Sequence, residues 1–549
     1  MSPMHSSRRH PIPTRLVTSP SAASFFLGVA LCACSAGLVS DNADPASTTL
    51  PDSGIILGGG GTTTTPGVLG SGSCDGTQFT CEIPKCANED VATTISGKVW
   101  DPAGKNPLNG AVVYVPAKPD EIAAISPGLT TTNCETCVKP SGGPIAGTVT
   151  GPDGSFVITK APVGTKVPLV VQIGKWRRMT FVEVKNKCAD NPITDKNLTR
   201  LPKNQSDGLK ASIPRIAIVV GDADRLQCLF TRMGIDMQEF TNPTGTGALH
   251  LYNLPSSLND SSSYVGKFDS SVNSGAAFPI AANDLWNNLN NMAKYDIILL
   301  ACGGKQSATD PLKTTPNPIS DNAKNNMRNY LAYGGRVFAE HFHWAWIKSY
   351  PAAGTKTTDP SYPAPLGVDI ASWIPYATDN KNASTPALVE TSFPKGQDFA
   401  KWLLVVGAST SLGTITFDPS DDTTKPSARD ELTPGPSGRR WIYQPADANA
   451  PTGAAANTHY LSFNVSSSAE VIDRLDTTNT NICGRFVYTG LHVAAAASSA
   501  HPPDSKTTFP SQCQAGDLSS YEKAIEFMMF DLSSCLTLDT TTTKKTIIF

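Results

Sequence analysis

The chain has 549 residues, which is long enough for two or three domains with their own hydrophobic cores. Its 44 basic residues nearly balance its 47 acidic ones, so the formal net charge is −3, and no block of lysine or arginine stands out. This balance argues against a nucleic acid as the partner. Only 17% of the residues are charged, and the abundance of Thr, Ser, Asn, Gly and Pro indicates long loops.

Residues 1–33 have the pattern of a signal peptide. Three arginines within the first fifteen residues form a basic leader, and a run of about 12 mostly apolar residues follows at 22–33. A membrane-spanning helix needs roughly 20 such residues. The run ends in Leu31-Cys32-Ala33-Cys34, which resembles the lipobox of bacterial lipoproteins, although Cys32 stands where a small or β-branched residue is usual. The alternative is an ordinary signal peptide that is cleaved elsewhere.

The lipobox resemblance implies cleavage before Cys34 and lipidation of its thiol. No later segment is apolar over a spanning length, so we expect the mature chain to be anchored to a membrane by lipid. Because Ser35 and Ala36 follow the cysteine and no aspartate does, the expected location is the outer membrane of the cell envelope.

The cysteine content agrees with export. Removing Cys32 and Cys34 from the 13 cysteines leaves eleven, and so many thiols outside the cytoplasm predict disulfides. Eleven is odd, so at least one of them has no intrachain partner. Cys134 and Cys137 are spaced as a redox pair or half a zinc site, but their loop offers no ligand-spaced histidines, which favours structural disulfides. The cysteines of the first third should mostly pair; they are Cys74, Cys81, Cys86, Cys134, Cys137 and Cys188.

Residues 34–91 begin as a Gly-, Thr-, Ser- and Pro-rich stretch without apolar periodicity, which indicates a disordered tether with a cysteine-rich end. Residues 92–187 then show short alternating runs separated by turns such as Asp101–Gly104 and Gly151–Gly154. Strands at this spacing without a helical stretch predict a small all-β sandwich.

The order of motifs in 92–187 resembles the carboxypeptidase regulatory-like, transthyretin-type β-sandwich. The resemblance rests on GKVWDPAGKNPLNGAVVYV, then GPDGSF, then PVGT, with Gly97, Gly110 and Asp153–Phe156 as its most specific positions. It implies a non-catalytic accessory module that stabilises or presents a neighbouring domain, and some members of this family bind carbohydrate or protein.

After a polar linker at 188–212, residues 213–540 have an α/β pattern. Continuous apolar runs at 215–220, 295–300 and 336–339 predict strands that are buried on both faces. Helical spacing follows at 226–233 and 321–333, and two more strands are expected at 460–465 and 485–489. Ser519 and Glu522 form a plausible capping box for a last helix at 521–534.

The runs YDIILLACGG, YLAYGGRVFAEH and GRFVYTGLHV are similar to class I glutamine amidotransferase-like, flavodoxin-like domains, including the trehalose-utilisation-like branch. The resemblance places Cys302 at the nucleophile position and His492 as its base. The chain departs from the family pattern at both: Ala301 replaces the glycine before the cysteine, and no acidic residue follows His492. Cys302 and His492 are therefore either a catalytic pair at the ends of adjacent strands or a core cysteine and a structural histidine.

A second candidate site follows the strand at 336–339. If the strand continued, His341 and His343 would point to the same face and could share a metal, with His250, His492 or a carboxylate as third ligand. Trp344 and Trp346 could instead stack on a sugar ring, or pack the loop onto the domain.

The sequence thus predicts a multidomain protein with a small all-β sandwich and an α/β amidotransferase-like domain, in the manner of myxobacterial-type surface lipoproteins. The preferred function is a non-enzymatic or degenerate-enzyme surface protein that binds carbohydrate or an envelope protein, without cofactor, resident metal or nucleic acid. The alternatives are a hydrolase or amidotransferase-like enzyme using Cys302 and His492, and a metal-dependent hydrolase using His341 and His343.

Overall fold

The computed structural model describes thirteen stretches of the chain: residues 83–130, 134, 137–221, 224–258, 265–303, 319–347, 370–374, 386–416, 431–445, 457–476, 481–491, 508–513 and 515–536. Every described residue belongs to one compact unit, Ser53–Phe549. The predicted lipidation site Cys34 and the predicted base His492 lie outside the described residues.

Residues 83–213, here called the β region, contain eight short strands and one turn of helix among the described positions. They are β1 (Thr94–Lys98), β2 (Val112–Pro116), β3 (Pro144–Val149), β4 (Ser155–Ile158), β5 (Gly164–Ile173), β6 (Trp176–Val184), β7 (Asp190–Pro192), α1 (Lys196–Thr199) and β8 (Leu209–Ser212). The strands form a three-stranded sheet in the order β4-β1-β7 and a five-stranded sheet in the order β3-β2-β5-β6-β8.

The two sheets of the β region share one hydrophobic core, because alternate side chains of their strands point inward. In β4, Ser155 and Val157 are exposed whereas Phe156 and Ile158 are buried against inward-facing residues of β5. The turn before β4 requires Gly154, whose φ is +74° and where a Cβ atom would lie 2.6 Å from a Pro107 side-chain atom. The predicted strands of this region are confirmed at their positions.

The segment 188–212, predicted to be a linker, is instead integrated into the β region. β7 pairs with β1, and Asp190 accepts hydrogen bonds of 2.6 Å from the hydroxyls of Thr94 and Ser96. β8 pairs with β6 at the edge of the larger sheet. The polar composition that suggested a linker reflects edge positions, where side chains remain in contact with water.

Residues 214–536, here called the α/β region, contain the remaining strands and helices. They are β9 (Ile216–Val220), α2 (Leu226–Arg232), β10 (Phe240–Thr241), β11 (Leu249–Asn253), β12 (Lys267–Phe268), α3 (Leu289–Met292), β13 (Ile297–Leu300), α4 (Asp321–Ala332), β14 (Arg336–Glu340), β15 (Ala371–Ile374), β16 (Ala387–Val389), α5 (Pro394–Val405), β17 (Thr414–Ile415), β18 (Glu431–Pro434), β19 (Arg439–Gln444), β20 (Asn457–Ser466), β21 (Ile482–Thr489), β22 (Thr508–Phe509) and α6 (Ser520–Ser533).

One large sheet organises the α/β region. Among the described residues its strand order is β10-β11-β9-β13-β14-β21-β20-β19-β16-β17. The first six strands run parallel and the last four pair antiparallel. Five of the parallel strands are arranged as in a doubly wound sheet; they are β9, β11, β13, β14 and β21. Numbered 1 to 5 along the chain, they lie side by side in the order 2-1-3-4-5. All side chains of β9, β13 and β14 are buried, which explains their continuous apolar sequence.

The last helix, α6, joins the two regions. It begins with the predicted capping box, in which the Ser519 hydroxyl accepts from the Glu522 N–H and the Glu522 carboxylate accepts from the Ser519 N–H. On the side of the β region, Trp176 packs edge-on against Phe530, with ring centroids 5.7 Å apart. A single hydrophobic cluster therefore continues from the sandwich-like sheets into the α/β region. No helix in the described stretches is long and apolar enough to cross a membrane.

Disulfides, predicted from the cysteine count, are confirmed. Cys86 pairs with Cys188 at the edge of the β region, and the other three pairs described are Cys134–Cys483, Cys137–Cys535 and Cys228–Cys513. Cys134 and Cys137 therefore do not pair with each other and do not bind a metal. Each forms a disulfide that joins the β region to the α/β region. Cys302 keeps its thiol.

Candidate functional site

The carboxyl ends of the parallel strands meet at one edge of the large sheet. The strand order reverses between β9 and β13, and doubly wound sheets bind their ligands in the crevice outside such a switch point. Asp224 follows β9, Cys302 follows β13, and Glu340 and His341 lie at the end of β14. These four residues form the polar cluster that we call the strand-end cluster.

At the switch point the two chain segments are in direct backbone contact. The Asp224 N–H donates to the Cys302 carbonyl oxygen over 3.1 Å. A Cβ atom at Gly221 would lie only 2.1 Å from the same oxygen, so glycine is needed there for the segments to approach. The backbones that follow β9 and β13 thus lie directly against each other at the switch point.

Cys302 lies in the interior of this cluster. It is 0% exposed, and its backbone N–H donates to the Glu340 carboxyl over 3.3 Å. Its Sγ lies 3.4 Å from Nδ1 of His341. The residue therefore does have an imidazole beside its thiol, as a nucleophilic cysteine requires. However, its N–H is already bonded and does not point toward a site for a substrate oxyanion.

His341 stands on the sharp turn that ends β14. Its φ is +41°, a conformation that few residues other than glycine adopt, and a 3₁₀ helix over His341–Trp346 follows it directly. The Tyr488 hydroxyl donates to the His341 carbonyl oxygen over 2.7 Å and holds the turn. Some hydrolases carry their nucleophile on a strained turn between a strand and a helix, the nucleophile elbow. In this chain that kind of turn carries His341 and not Cys302.

His343 is a neutral structural histidine. The prediction that His341 and His343 extend the strand and face the same side is wrong, because the positive φ of His341 ends the extended backbone at Glu340. His343 Nε2 donates to the Ala301 carbonyl oxygen over 3.0 Å, and its Nδ1 accepts the Trp346 indole N–H over 3.1 Å. Burial lowers the pKa of His343 from 6.5 to about 4. Both ring nitrogens have partners, so neither can bind a metal in this arrangement.

The two tryptophans of the same segment are core residues. Trp344 is 2% exposed and Trp346 is 0% exposed. The Trp346 ring packs edge-on against Trp286, with centroids 5.2 Å apart. Of the two roles considered for these rings, the structure thus shows the packing role, and neither face is open to a sugar.

His250 is not part of the strand-end cluster. In the sheet register it lies level with Ala217 and hence with Ile298 of β13, well before the carboxyl ends of the strands. It is also three strands away from β14, which corresponds to about 14 Å. Its Nδ1 bonds to the Tyr295 hydroxyl over 2.8 Å. Within the described stretches no group of three or more His, Cys, Asp or Glu side chains is arranged to hold a metal ion.

A carboxyl pair that the sequence analysis missed lies beneath Cys302. Asp224 and Glu340 are 1% and 0% exposed, and their carboxyl groups hydrogen-bond to each other. Burial, and next the charge of Asp224, raise the pKa of Glu340 well above its ordinary 4.5. A proton on Glu340 is therefore favoured, and the protonated carboxyl group can donate to Asp224. The only sequence signal was that both acids stand at strand ends.

Tyr460 and Thr489 close the cluster from the antiparallel side of the sheet. They face each other in the register of β20 and β21, and the Tyr460 side chain is fully buried. Burial raises the pKa of Tyr460, and the neighbouring Asp224–Glu340 pair raises it further, so this hydroxyl stays neutral. The cluster is thus a buried polar set in which burial favours the uncharged forms of Glu340 and Tyr460.

A small cleft, open to solvent, lies at the opposite end of the parallel strands, between the β and α/β regions. Its charged lining residues are Lys175, Asp296 and Arg336. Lys175 pairs with Asp296 over 2.7 Å, and the Arg336 guanidinium donates to the carbonyl oxygens of Leu532 and Cys483. These cations already have partners, so the cleft presents no uncommitted charge to a ligand.

Comparison with known proteins gives no further assignment of the site. No protein-family model, no curated protein and no solved structure matches the chain. The chemistry of the strand-end cluster therefore has to be judged from its own geometry.

Proposed function

We propose that this chain is a lipid-anchored protein of the cell envelope that binds another envelope component and does not work as a cysteine hydrolase. In this proposal the β region is a carboxypeptidase regulatory-like accessory module. The α/β region is an amidotransferase-like domain whose catalytic position has become a packed polar core.

The observation that carries the proposal is the placement of Cys302. The side chain is fully buried, its N–H is bonded to Glu340, and the strained turn belongs to His341. A nucleophilic thiol needs exposure to substrate and backbone donors aimed at the developing oxyanion. A buried cysteine with a bonded N–H is instead typical of a small apolar core residue.

The disulfides support the extracytoplasmic part of the proposal. Four pairs are present in the described residues, and two of them bond the β region to the α/β region. Structural disulfides of this kind persist in oxidising compartments and are rare in the cytosol. They favour a protein that folds after export, as the lipobox-like Leu31–Cys34 segment also indicates.

Of the two ligand classes considered, we favour an envelope protein over a carbohydrate. The argument for carbohydrate rested on Trp344 and Trp346, and both rings are buried. The β region, in contrast, has an exposed edge strand, β4, whose Val157 is 53% exposed. Edge strands with exposed apolar side chains are suited to contacts with other proteins.

Metabolic labelling with a clickable fatty acid tests the anchor. The full chain is expressed in a Gram-negative host, and membrane fractions of wild type, Cys34→Ala and Cys32→Ala are compared. The proposal requires label in wild type and Cys32→Ala and none in Cys34→Ala, which should leave the membrane fraction or remain unprocessed. Equal labelling of all three, or no label in wild type, would refute lipidation at Cys34.

A second candidate function is a Cys/His-dependent hydrolase or amidotransferase-like enzyme. The contact of 3.4 Å between Cys302 Sγ and His341 Nδ1 favours it, with His341 in the role that the sequence analysis gave to His492. Turnover of amide and ester substrates that is lost in Cys302→Ala and in His341→Gln, with folding retained, would select this function over the first.

A further inference from the structure

In addition to the contacts of Trp176 and Lys175, the β region contacts the α/β region through the loop of residues 100–108. The Trp402 indole of α5 donates to the Pro107 carbonyl oxygen over 2.6 Å, and Asn106 donates its side-chain N–H to the Glu526 carboxyl of α6 over 2.7 Å. At the rim of this contact, Lys105 pairs with Asp517. Polar contacts thus hold the loop, and the strength of its contact with α6 depends on whether Glu526 is protonated.

At the centre of this contact two carboxyl groups meet. Asp101 of the loop is 1% exposed and Glu526 of α6 is 0% exposed, and the two side chains hydrogen-bond to each other. The Asp101 carboxyl also accepts the Lys105 N–H over 2.7 Å. Two carboxyl groups can form such a bond only while one of them carries a proton, because two carboxylates offer acceptors alone and repel each other.

The charged groups around the pair are already committed to other partners. From the loop, Lys105 extends to Asp517 at the surface. From α6, Lys523 donates to the Val406 carbonyl oxygen, and Glu522 forms an ion pair with Arg232 of α2. None of these described cations contacts the Asp101 or Glu526 carboxyl through its side chain. The charge of Lys523 lowers the pKa of Glu526, but burial and Asp101 have the larger effect, so a second negative charge in the contact would be only partly compensated.

We infer that Asp101 and Glu526 form a pH-sensitive latch between the two regions. While the pair holds a proton, the loop is bound to α6. When the last proton leaves, two buried negative charges face each other, and the loop separates from α6 so that water can reach them. The disulfides Cys134–Cys483 and Cys137–Cys535 keep the two regions joined, so the opened form is a tethered one.

The direction of the pH dependence follows from the folded-state pKa values. Burial raises the pKa of Asp101 from 3.8 to about 6, and burial together with Asp101 raises that of Glu526 well above 4.5. An acid whose pKa is higher in the folded state than in the unfolded state stabilises the fold fully at pH values below its unfolded-state pKa. This stabilisation is lost as the pH rises through its folded-state pKa. The latch is therefore closed in acid, with Glu526 keeping the last proton, and opens toward alkaline pH.

Hydrogen–deuterium exchange of the whole, disulfide-intact protein tests the latch. Protection of the amides in 100–108 and in the middle of α6 is measured from pH 5 to 10 and corrected for the intrinsic pH dependence of exchange. In wild type we expect protection to fall by about tenfold per pH unit once the pair loses its last proton. In Glu526→Gln, whose amide donates without a titrating proton, protection should not depend on pH.

Asp153→Asn serves as the control, because Asp153 lies on an exposed turn of the same region and its loss should leave the wild-type profile unchanged. If Glu526→Gln does not fold, Asp101→Asn gives the same test, since its amide can donate to Glu526. Wild-type protection that is flat over this pH range would overturn the latch. So would a folded Glu526→Gln or Asp101→Asn variant that keeps the wild-type pH profile.

Discussion

The disulfides between the two regions should contribute several kcal/mol to stability, and the contribution of one can be worked out from the chain path. With Cys137–Cys535 intact, the Cys134–Cys483 bond closes a loop of about 55 residues, because three positions separate Cys134 from Cys137 and 52 separate Cys483 from Cys535. A loop of this length corresponds to about 4 kcal/mol of lost unfolded-state entropy. The direct path between Cys134 and Cys483 would overstate the loop length.

The double variant Cys134→Ala/Cys483→Ala should therefore lose about 4 kcal/mol of unfolding free energy. Urea unfolding followed by tryptophan fluorescence, without reductant, measures this loss. Alanine is chosen because Cys483 is fully buried and a serine hydroxyl there would add a cost of its own. Cys302→Ala is the comparison that removes a buried sulfur but no cross-link. If the double variant lost no more stability than Cys302→Ala, the chain-entropy argument would be refuted.

Three further changes have expected outcomes. Asp531→Asn should lose about 3 to 5 kcal/mol in urea unfolding, because it leaves the buried Arg485 guanidinium, now 2.8 Å from the carboxylate, without its counter-charge. Gly221→Ala should destabilise the fold by roughly 1 to 3 kcal/mol, since its Cβ would overlap the Cys302 carbonyl oxygen. His343→Gln should weaken the loss of unfolding free energy at acid pH. Because the folded-state pKa of His343 is lowered, its contribution to stability is present above pH 6.5 and is lost as the pH falls toward about 4. This contribution is about 3 kcal/mol.

Each of these variants has a matched control. The control for Asp531→Asn is Asp517→Asn. The side chains of Asp517 and of its partner Lys105 are both exposed, so the free energy of unfolding should not change. For Gly221→Ala it is Gly490→Ala, where a Cβ would meet nothing within 4 Å. An equal loss in test and control would contradict the contact invoked. For His343→Gln, the pH 8 stability of the variant is the reference, and an acid limb as steep as that of wild type would contradict the assignment.

Secondary structure in both regions could largely be predicted from local pattern. The alternating run of β4 and the continuous apolar runs of β9 and β13 coincide with strands, and the Ser519–Glu522 capping box marks the start of α6. These elements depend on side-chain periodicity and on contacts a few residues apart. Such signals are present in a single sequence.

The antiparallel half of the large sheet and the disulfide connectivity could not be predicted in the same way. β16, β17 and β19 are short, and their pairing joins positions far apart in the chain. Cys134 and Cys137 are only three residues apart, yet each bonds to a cysteine more than 300 positions away. Long-range pairing of this kind leaves no local periodicity.

The strand-end cluster was predicted in part. The sequence predicts Cys302 at the end of a buried strand, and it does follow β13, but its neighbours were not predicted. The positive φ of His341 turns its ring toward Cys302, and the Asp224–Glu340 pair forms only because β9 and β14 flank β13. The backbone angle of His341 and the order of the strands depend on the tertiary structure. The alternation of apolar and polar residues along the sequence does not predict them.

The reactivity of the Cys302 thiol tests the central claim most directly. The unreduced protein is treated with a thiol-directed electrophile from pH 5 to 9, and modification of Cys302 is followed by peptide mass spectrometry, with Cys302→Ser as the blank. We expect slow labelling at every pH that becomes fast only in denaturant, because the thiol is fully buried. Rapid labelling of the folded protein with an apparent pKa well below about 8.5, the ordinary thiol value, would contradict it and establish Cys302 as an activated nucleophile.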